Sequence, residues 1–351
     1  MTTAALRVLT WPDYAIRGVE RLFRSATGLT VDWTFFDQNE EAFARVRAAP
    51  DHFDVILADG LWPARYMQSG LIAPLDPTGI EGWSHLIPTV ARWCAKSWAS
   101  GPGTVMAFPC YWGLRGIIYD PDLVSRPGSW QALSSARPRS LWLNSQGSEV
   151  IAELALGMGI GPERVYNLTD AELVEVGSKL TQMLPTVGGV WRVLSELVLA
   201  FQGGAALAEV HTTSLLDNVV RASGRRLEVA VPSEGTIAYI DGAMVGAASR
   251  SPEAAMSFID ALSSPEGVLA QWRESDGYPC ANATGLELVR GHPEFRSKLD
   301  RSRATTEAVE QAIMYGPPTN LHGYLNVWRT FLALLDAPVP ASVRSAMGLP
   351  G

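Results

Sequence analysis

The sequence predicts an α/β protein folded as two lobes. The first 76 residues alternate strand-like and helix-like patterns, and a second region of such alternation begins near Val105. Alternation of this kind is typical of βαβ units, so each lobe is expected to be a mostly parallel sheet flanked by helices. No low-complexity linker separates the two regions. We therefore expect strands that cross between the lobes more than once, a topology suited to a closing cleft.

The first lobe is predicted from a run of alternating segments. Strand patterns at Leu6–Thr10, 31–35 and Phe53–Leu57 alternate with helix patterns at Ile16–Ala26, 42–46 and Leu61–Gln68, and Gly70–Leu75 completes the series. The apolar run at Phe53–Leu57 is expected of a strand buried on both faces. Gly28 is a suitable C-cap for the first helix, and Asn39 can cap the second.

The second region and the C-terminal part contain further elements. They are strands at Gly116–Tyr119, Ser140–Leu143 and Leu227–Val231, a helix from about Ser148 to Gly157, and helical patterns at Thr305–Met314 and Tyr324–Leu335. Ser251 and Ser264 each begin a Ser-Pro-Glu helix start, with a cap, a first-turn proline and an acid that complements the helix dipole. We expect lobe 1 to comprise 1–110 and 241–285, and lobe 2 to comprise 111–240 and 286–351.

Composition excludes several classes of function. The chain has 351 residues, of which 47% are hydrophobic and 18% charged, as in ordinary globular proteins. A net charge of −8 argues against binding to nucleic acid or to an anionic membrane surface. The cysteines and histidines show no metal-type spacing, and Gly157–Gly161 follows a helix pattern and not the strand that a dinucleotide loop requires. We expect no metal, no cofactor and no catalytic residue.

An acidic and an aromatic side chain stand together in the segment Glu234–Asp241, which ends in Tyr239-Ile-Asp241. The pattern predicts that both lie at the end of a buried strand. A carboxylate beside aromatic rings suits an ammonium group, because the cation gains both an ionic partner and aromatic faces. The alternative is that Asp241 caps a turn with the following glycine.

Several segments, taken in order, resemble one branch of a known family. They are Leu9-Thr-Trp-Pro-Asp-Tyr14, Phe53-Asp-Val-Ile-Leu-Ala-Asp59, Gly70-Leu-Ile-Ala-Pro-Leu-Asp76, Phe108-Pro-Cys-Tyr-Trp-Gly113, Gly128-Ser-Trp-Gln-Ala-Leu133, Tyr239-Ile-Asp241 and Gly277-Tyr-Pro279. Together they resemble the spermidine/putrescine-binding solute-binding proteins of ABC transporters. The resemblance implies a type II periplasmic-binding-protein fold with the ligand cleft between the lobes. It also implies a monomer in the periplasm, its signal peptide removed, that delivers ligand to a permease and ATPase in the inner membrane.

The resemblance also implies a set of ligand-binding residues. Trp11 and Tyr14 match an aromatic pair that walls the cleft, Asp241 matches the carboxylate that receives an ammonium group, and Tyr239 replaces a tryptophan. The remaining matched positions are Trp112, Tyr278 and Glu149 at a helix start. Asp59 is also expected at the site, although it departs from the family, in which serine is common at this position. The alternatives are core packing for Trp11 and Tyr14, and simple complementation of the helix dipole for Glu149.

Three departures from this branch bear on the ligand. Gln146 stands where polyamine binders carry a second acid, His211 stands for a cleft tryptophan, and Arg115 follows the Trp-Gly pair. An arginine is unfavourable beside a polycation, so we expect a ligand that carries a carboxylate as well as an amine, such as an amino-acid derivative or an opine-like conjugate. Arg115 would hold the carboxylate and Asp241 the amine. The alternatives are an outward Arg115 paired with Asp13 or Asp59, and a true polyamine ligand.

Two further functions remain open from the sequence. A thiamine-degrading transferase of similar fold uses a cleft cysteine, and Cys110 with Asp241 could act in that way if its thiolate were stabilised. A cytoplasmic sensor or receptor on the same fold is the other alternative. The resemblance favours a binding protein that is not an enzyme.

Overall fold

The computed structural model describes residues 5–275, 280–302 and 305–336. Their contacts divide into two compact units, each with its own sheet. Described residues within Met1–Gly113 and Ala238–Met314 form the first unit, and those within Leu114–Ile237 and Tyr315–Gly351 form the second. The predicted α/β class is confirmed, and the chain crosses from one unit to the other more than once, as expected.

The strands and helices are numbered in chain order. The strands are β1 Ala5–Thr10, β2 Thr30–Phe35, β3 Val55–Asp59, β4 Ile72–Ala73, β5 Ala99–Gly101, β6 Thr104–Val105, β7 Phe108–Leu114, β8 Gly116–Tyr119, β9 Leu141–Asn144, β10 Val187–Trp191, β11 Leu207–Val210, β12 Glu228–Ala230, β13 Ile237–Gly246 and β14 Ile313–Met314. The α-helices are α1 Arg17–Thr27, α2 Asn39–Ala48, α3 Pro63–Gln68, α4 Pro88–Ser97, α5 Gly147–Gly157, α6 Asp170–Met183, α7 Leu194–Gln202, α8 Leu216–Ser223, α9 Pro252–Ser263, α10 Pro265–Glu274, α11 Ala283–Gly291, α12 Pro293–Ser302, α13 Thr306–Glu310 and α14 Leu321–Asp336.

The sheet of the first unit has the order β14-β13-β3-β1-β2, with β4 and β7 also pairing with β13. Strands β2, β1 and β3 are parallel, as the alternating pattern predicts. Strand β13 runs antiparallel to β3, because it enters this sheet on the chain's return from the second unit. The sheet is therefore mixed and not mostly parallel throughout, and β13 lies at its centre.

The sheet of the second unit has the order β10-β9-β11-β8-β12. Strands β10, β9 and β11 are parallel, whereas β8 runs antiparallel to both β11 and β12. Helix α5 is buried along its whole length, since apolar residues occupy nearly all of its positions. Two glutamates, Glu149 and Glu153, lie in this buried helix. They mark the polar centre of the unit.

Some predicted helix ends are confirmed and others are wrong. Gly28 ends α1 in the left-handed conformation, with φ of 74°, which glycine adopts without a steric penalty. Asn39 is not the cap of α2: Gln38 holds that position, and the Asn39 side chain accepts a hydrogen bond from the backbone N–H of Asp59. Ser264 caps α10 through its hydroxyl, but Ser251 makes no such bond at α9.

The C-terminal part differs from the expected division into lobes. The described residues within 286–314 belong to the first unit and not to the second, because α11 packs closely on α10. A Cβ atom on Gly285 would lie 2.5 Å from the Val268 side chain, which shows how close that contact is. The predicted helical segment Thr305–Met314 contains α13 but ends in the short strand β14. The described residues from Tyr315 onward, which include α14, return to the second unit.

Across the described parts of the chain, no helix combines the length and the apolar composition needed to cross a membrane.

Candidate ligand site

Asp241 lies inside β13, not at the end of a strand as the sequence pattern suggested. It is 5% exposed and stands opposite Asp59, the last residue of β3, in the antiparallel register. The Tyr14 hydroxyl donates a hydrogen bond of 2.5 Å to Asp241 Oδ2. Tyr14 belongs to a short 3-10 helix, Pro12–Tyr14, that follows directly after β1. The sheet thus brings together two residues that are 227 positions apart.

The environment of Asp241 disfavours its negative charge. Burial raises the pKa of Asp241 well above its usual value, and the neighbouring Asp59 carboxylate raises it further, while the Tyr14 hydrogen bond opposes both. Burying a carboxylate without a compensating cation is costly. The arrangement therefore suits an ammonium group, whose positive charge would stabilise the ionised carboxylate.

Aromatic rings lie beside this carboxylate. The Tyr14 ring lies 3.9 Å from the Tyr111 ring, centroid to centroid, and 5.5 Å from the Trp11 ring in an edge-to-face contact. Trp11 is half-buried and also contacts Phe36, with the centroids 4.7 Å apart. Core packing is therefore part of what Trp11 and Tyr14 do, and it does not exclude the predicted ligand contact.

Tyr239 is half-buried and lies on the same face of β13 as Asp241, because side chains two positions apart on a strand share a face. Its ring passes directly over Gly113 of β7. A Cβ atom at Gly113 would lie 2.4 Å from that ring, so only glycine leaves room for Tyr239 there. The glycine of the Trp-Gly pair is thus explained by close packing.

Trp112, which was predicted to bind the ligand, is buried, and the adjacent Tyr111 lies beside Tyr14 instead. Trp112 is fully buried, and its indole N–H donates to the carbonyl oxygen of Cys280 at 2.9 Å. Tyr111, the residue before it, is the one stacked on Tyr14. Its buried hydroxyl has no hydrogen-bond partner within the described parts of the chain. Strand alternation could have indicated that only one of the two rings faces Tyr14, but not which one.

Asp59 is half-exposed and is fixed by the chain around it. Its Oδ1 accepts a hydrogen bond of 2.9 Å from the backbone N–H of Leu61. Residues directly opposite each other in an antiparallel pair have Cβ atoms about 5 Å apart on one face. Asp59 and Asp241 therefore present two carboxyl groups side by side.

Cys110 is a poor candidate for a nucleophile. Its thiol is buried and donates a hydrogen bond of 3.3 Å to the backbone carbonyl oxygen of Asp241. Burial and the nearby Asp241 carboxyl raise the pKa of the Cys110 thiol well above its usual value. The reactive thiolate is therefore disfavoured, contrary to what the transferase alternative requires.

The second unit holds a separate polar cluster centred on Arg115. This residue is 2% exposed and precedes β8. Its guanidinium donates from Nε to Glu153 at 2.6 Å, from Nη2 to Glu209 at 2.7 Å and from Nη1 to Gln146 Oε1 at 2.6 Å. The alternative of an outward Arg115 paired with Asp13 or Asp59 is wrong. The arginine is instead the centre of a buried network.

Two buried glutamates exceed the charge of one arginine. Burial raises the pKa values of Glu153 and Glu209 above normal, although the Arg115 charge lowers both. Burial alone would lower the pKa of Arg115, but the carboxylates around it raise that pKa above normal. When both glutamates are ionised, the two carboxylates and the guanidinium carry a net charge of −1. Because an unpaired buried charge is costly, protonation of one glutamate is favoured, and the three groups are then neutral as a set.

Sequence reasoning did not identify Glu153 or Glu209 as members of this site. A signal for Glu153 exists in its spacing, because Glu149 and Glu153 are four residues apart on one face of an otherwise apolar helix. Glu209 lies in β11, where it also accepts a hydrogen bond of 2.8 Å from the backbone N–H of Asn144.

Gln146, Glu149 and His211 complete the predicted residues of this unit. Gln146 is exposed at the N-cap of α5, and Glu149 is buried in its first turn. His211 is half-buried after β11, with its ring centroid 5.4 Å from that of Trp191. Burial lowers the pKa of His211 to about 3, and the Arg115 charge adds to this effect, so the imidazole is neutral at physiological pH.

Tyr278 lies outside the described residues. Within the described ranges, no group of three or more His, Cys, Asp or Glu side chains is arranged to hold a metal ion. A surface groove of about 360 Å³ in the second unit is lined by residues such as Trp130, Met158 and Lys179, and by none of the predicted site residues.

Comparison with solved structures identifies the fold as that of type II periplasmic binding proteins, which have two lobes. A spermidine/putrescine ABC transporter substrate-binding protein from Streptococcus pneumoniae has a TM-score of 0.80 at 20% identity, covering 95% of this chain and 100% of that one. A periplasmic binding protein from A. tumefaciens B6, solved in complex with glucopine, has a TM-score of 0.68 at 16% identity, covering 93% and 100%. The predicted two-lobed fold is confirmed.

Sequence comparison gives the family. Residues 22–294 match the model of the bacterial extracellular solute-binding proteins. The chain is 24% identical to the "Spermidine/putrescine-binding periplasmic protein" of Escherichia coli K12 over 80% of its length and 78% of the relative's. This protein belongs to the family of bacterial extracellular solute-binding proteins, which confirms the resemblance. The family and the relatives found are transport proteins and not enzymes.

Proposed function

We propose that this protein is the substrate-binding component of an ABC importer and that its ligand is a small amine. The observation that carries the proposal is the buried Asp241 carboxyl, which accepts a hydrogen bond from Tyr14 and stands beside the stacked rings of Tyr14 and Tyr111. A cation bound there gains an ionic partner in a site of low dielectric constant and aromatic faces at once. The names of the polyamine-binding relatives support the same ligand class.

The transport role follows from the family. We propose that the protein captures its ligand in the periplasm as a monomer and delivers it to a permease and an ATPase in the inner membrane. Binding to the folded state alone would raise the melting temperature, so a thermal-shift screen identifies ligands.

The first test is binding of putrescine, spermidine and γ-aminobutyrate by isothermal titration calorimetry. Asp241→Asn keeps the shape of the side chain but removes its charge. We expect the affinity for any amine that binds to fall by at least about 30-fold, about 2 kcal/mol, because the ligand ammonium loses its partner.

Asp37→Asn is the matched control, since Asp37 is an exposed aspartate of the same unit. It should leave affinity unchanged. Unaltered binding in Asp241→Asn, or no response to any amine in the screen, would contradict the proposed ligand class.

We further propose that the ligand carries a hydrogen-bond acceptor, such as a carboxylate, in addition to its amine. Because Gln146 Oε1 accepts a hydrogen bond from Arg115, the exposed Gln146 amide presents its N–H donors outward. Donors at this position favour an oxygen acceptor and disfavour a second ammonium. Arg115 then acts indirectly, by orienting Gln146, and not as the direct carboxylate ligand that the sequence suggested.

Putrescine and γ-aminobutyrate distinguish the two ligand types, because both have four carbons and differ in one terminal group. We expect the wild-type protein to prefer γ-aminobutyrate. Gln146→Glu should shift the preference toward putrescine by about tenfold or more, since an acid returns to the position. Gln182→Glu, which alters an exposed glutamine of α6, serves as the control. A wild-type preference for putrescine would favour the true polyamine alternative.

A further inference from the structure

Two carboxyl groups stand side by side in the first unit. Asp59 and Asp241 are register partners on the antiparallel strands β3 and β13, so their side chains leave the same face of the sheet. Like charges directly opposite each other on a sheet repel and destabilise it. One carboxylate is enough to bind an ammonium group, and Asp241 supplies it. The second carboxyl group, that of Asp59, therefore needs an explanation of its own.

Among the described residues, the groups that face Asp241 do not offset a second negative charge. They are the Tyr14 hydroxyl from the segment after β1, the Cys110 thiol and the Tyr111 ring from β7, and Asp59 from β3. At neutral pH each of these groups is either uncharged or negatively charged. Two ionised carboxylates here would therefore carry a charge of about −2, with Asp241 buried and Asp59 half-exposed, and their mutual repulsion disfavours the second charge.

We propose that Asp59 and Asp241 together hold one proton when the site is empty and release it when an ammonium group binds. The proposal rests on the proposed amine-binding function. The exchange balances: the protonated amine enters, one carboxyl O–H bond breaks, the proton leaves to solvent, and the bound ammonium faces two carboxylates. An ammonium group has three N–H donors, enough to serve both carboxylates.

The electrostatics of the empty site agree with this exchange. Burial and the Asp59 charge both raise the pKa of Asp241. The proton belongs to the pair and not to one residue, as is usual for strongly interacting carboxyl groups. Asp59 therefore strengthens the proton linkage that the burial of Asp241 begins, whereas Asp241 determines whether an amine binds.

The proposal fixes the sign of the pH dependence. Below the pH at which the empty pair loses its shared proton, each unit of pH should raise the affinity for the amine up to about tenfold, because one proton is displaced. Above that pH the affinity should become constant, until the amine itself loses its charge near pH 10.

Calorimetry measures the displaced proton directly. Putrescine is titrated into the whole protein at pH 7 in phosphate and in Tris, which differ in their enthalpies of ionisation. The difference in apparent binding enthalpy should correspond to release of about one proton by the wild-type protein and a clearly smaller fraction by Asp59→Asn, in which burial alone still raises the pKa of Asp241. Asparagine keeps an oxygen for the Leu61 N–H, so the local fold is retained. Asp37→Asn should behave as the wild type.

A second measurement needs no ligand. The carboxyl carbons of aspartate, followed by NMR as the pH of the empty protein is varied, should show Asp241 titrating well above an ordinary aspartate, and closer to it in Asp59→Asn. Equal proton release by the wild type and Asp59→Asn, or an ordinary titration of Asp241, would overturn the proposal. If neither putrescine nor γ-aminobutyrate produces binding heat, the proposed amine binding fails, whereas the NMR titration still decides whether the pair holds a proton.

Discussion

At the scale of single residues, some buried polar atoms have no partner within the described parts of the chain. The hydroxyl of Tyr111 and the Oε2 atom of Glu153 are two of them. A buried polar atom without a hydrogen bond costs about 1–3 kcal/mol, so such atoms call for an explanation. For Tyr111 the explanation we propose is a contact with the ligand, because its ring stacks on Tyr14 beside the Asp241 carboxyl.

Tyr111→Phe should therefore have two opposite effects. Removing the unsatisfied hydroxyl should raise the free energy of unfolding by about 1 kcal/mol, as measured in urea. If the hydroxyl serves the ligand, the affinity for the amine should fall by about threefold to tenfold at the same time.

Tyr66→Phe is the matched control for this experiment. The Tyr66 hydroxyl is also buried and without a partner within the described ranges, but its ring packs against Phe43. This variant should gain stability without losing affinity. An equal loss of affinity in both variants would show that Tyr111 has no specific role.

Also at this scale, part of the site could be predicted from the sequence. The family resemblance identified Asp241, Tyr14 and Trp11 as members of one site, and the structure places these three together. It did not identify Tyr111, since two adjacent rings on one strand compete for the same face. The role of each residue in ligand binding remains a prediction.

At the scale of elements, the first turn of α5 depends on a close contact with α14. A Cβ atom on Gly147 would lie 2.2 Å from the Trp328 ring, so only glycine allows the two helices to approach as they do. The contact holds the C-terminal helix on the second unit, next to Gln146.

Gly147→Ala should lower the free energy of unfolding by about 1–3 kcal/mol, because the added methyl group overpacks the contact. The expected loss of stability is informative, because alanine has a higher helix propensity than glycine and would otherwise stabilise the helix. Urea unfolding measures it.

Gly128→Ala is the control, because a Cβ atom there meets nothing within 4 Å. It should change stability little. A stability of Gly147→Ala equal to or above that of the wild type would show that α14 moves aside without cost.

At the scale of the whole molecule, composition and charge limit the partners. A net charge of −8 disfavours nucleic acid and anionic surfaces, and the family places the chain among solute-binding proteins. We expect a monomer. Light scattering coupled to gel filtration should give about the 37.9 kDa of one chain, with and without putrescine. A particle of twice that mass would contradict the prediction.

The sequence by itself determined the α/β class, the two-lobed family and the acid that marks the candidate site. Periodicity and local motifs are properties of neighbouring residues, so they can be read along the chain. Only the tertiary structure decided what Arg115 contacts, because its partners Glu153 and Glu209 lie 38 and 94 positions away. It likewise decided that Asp59 stands opposite Asp241. Pairing of distant strands follows from packing of the whole core, and a charge acquires its role only from the groups that this packing brings beside it.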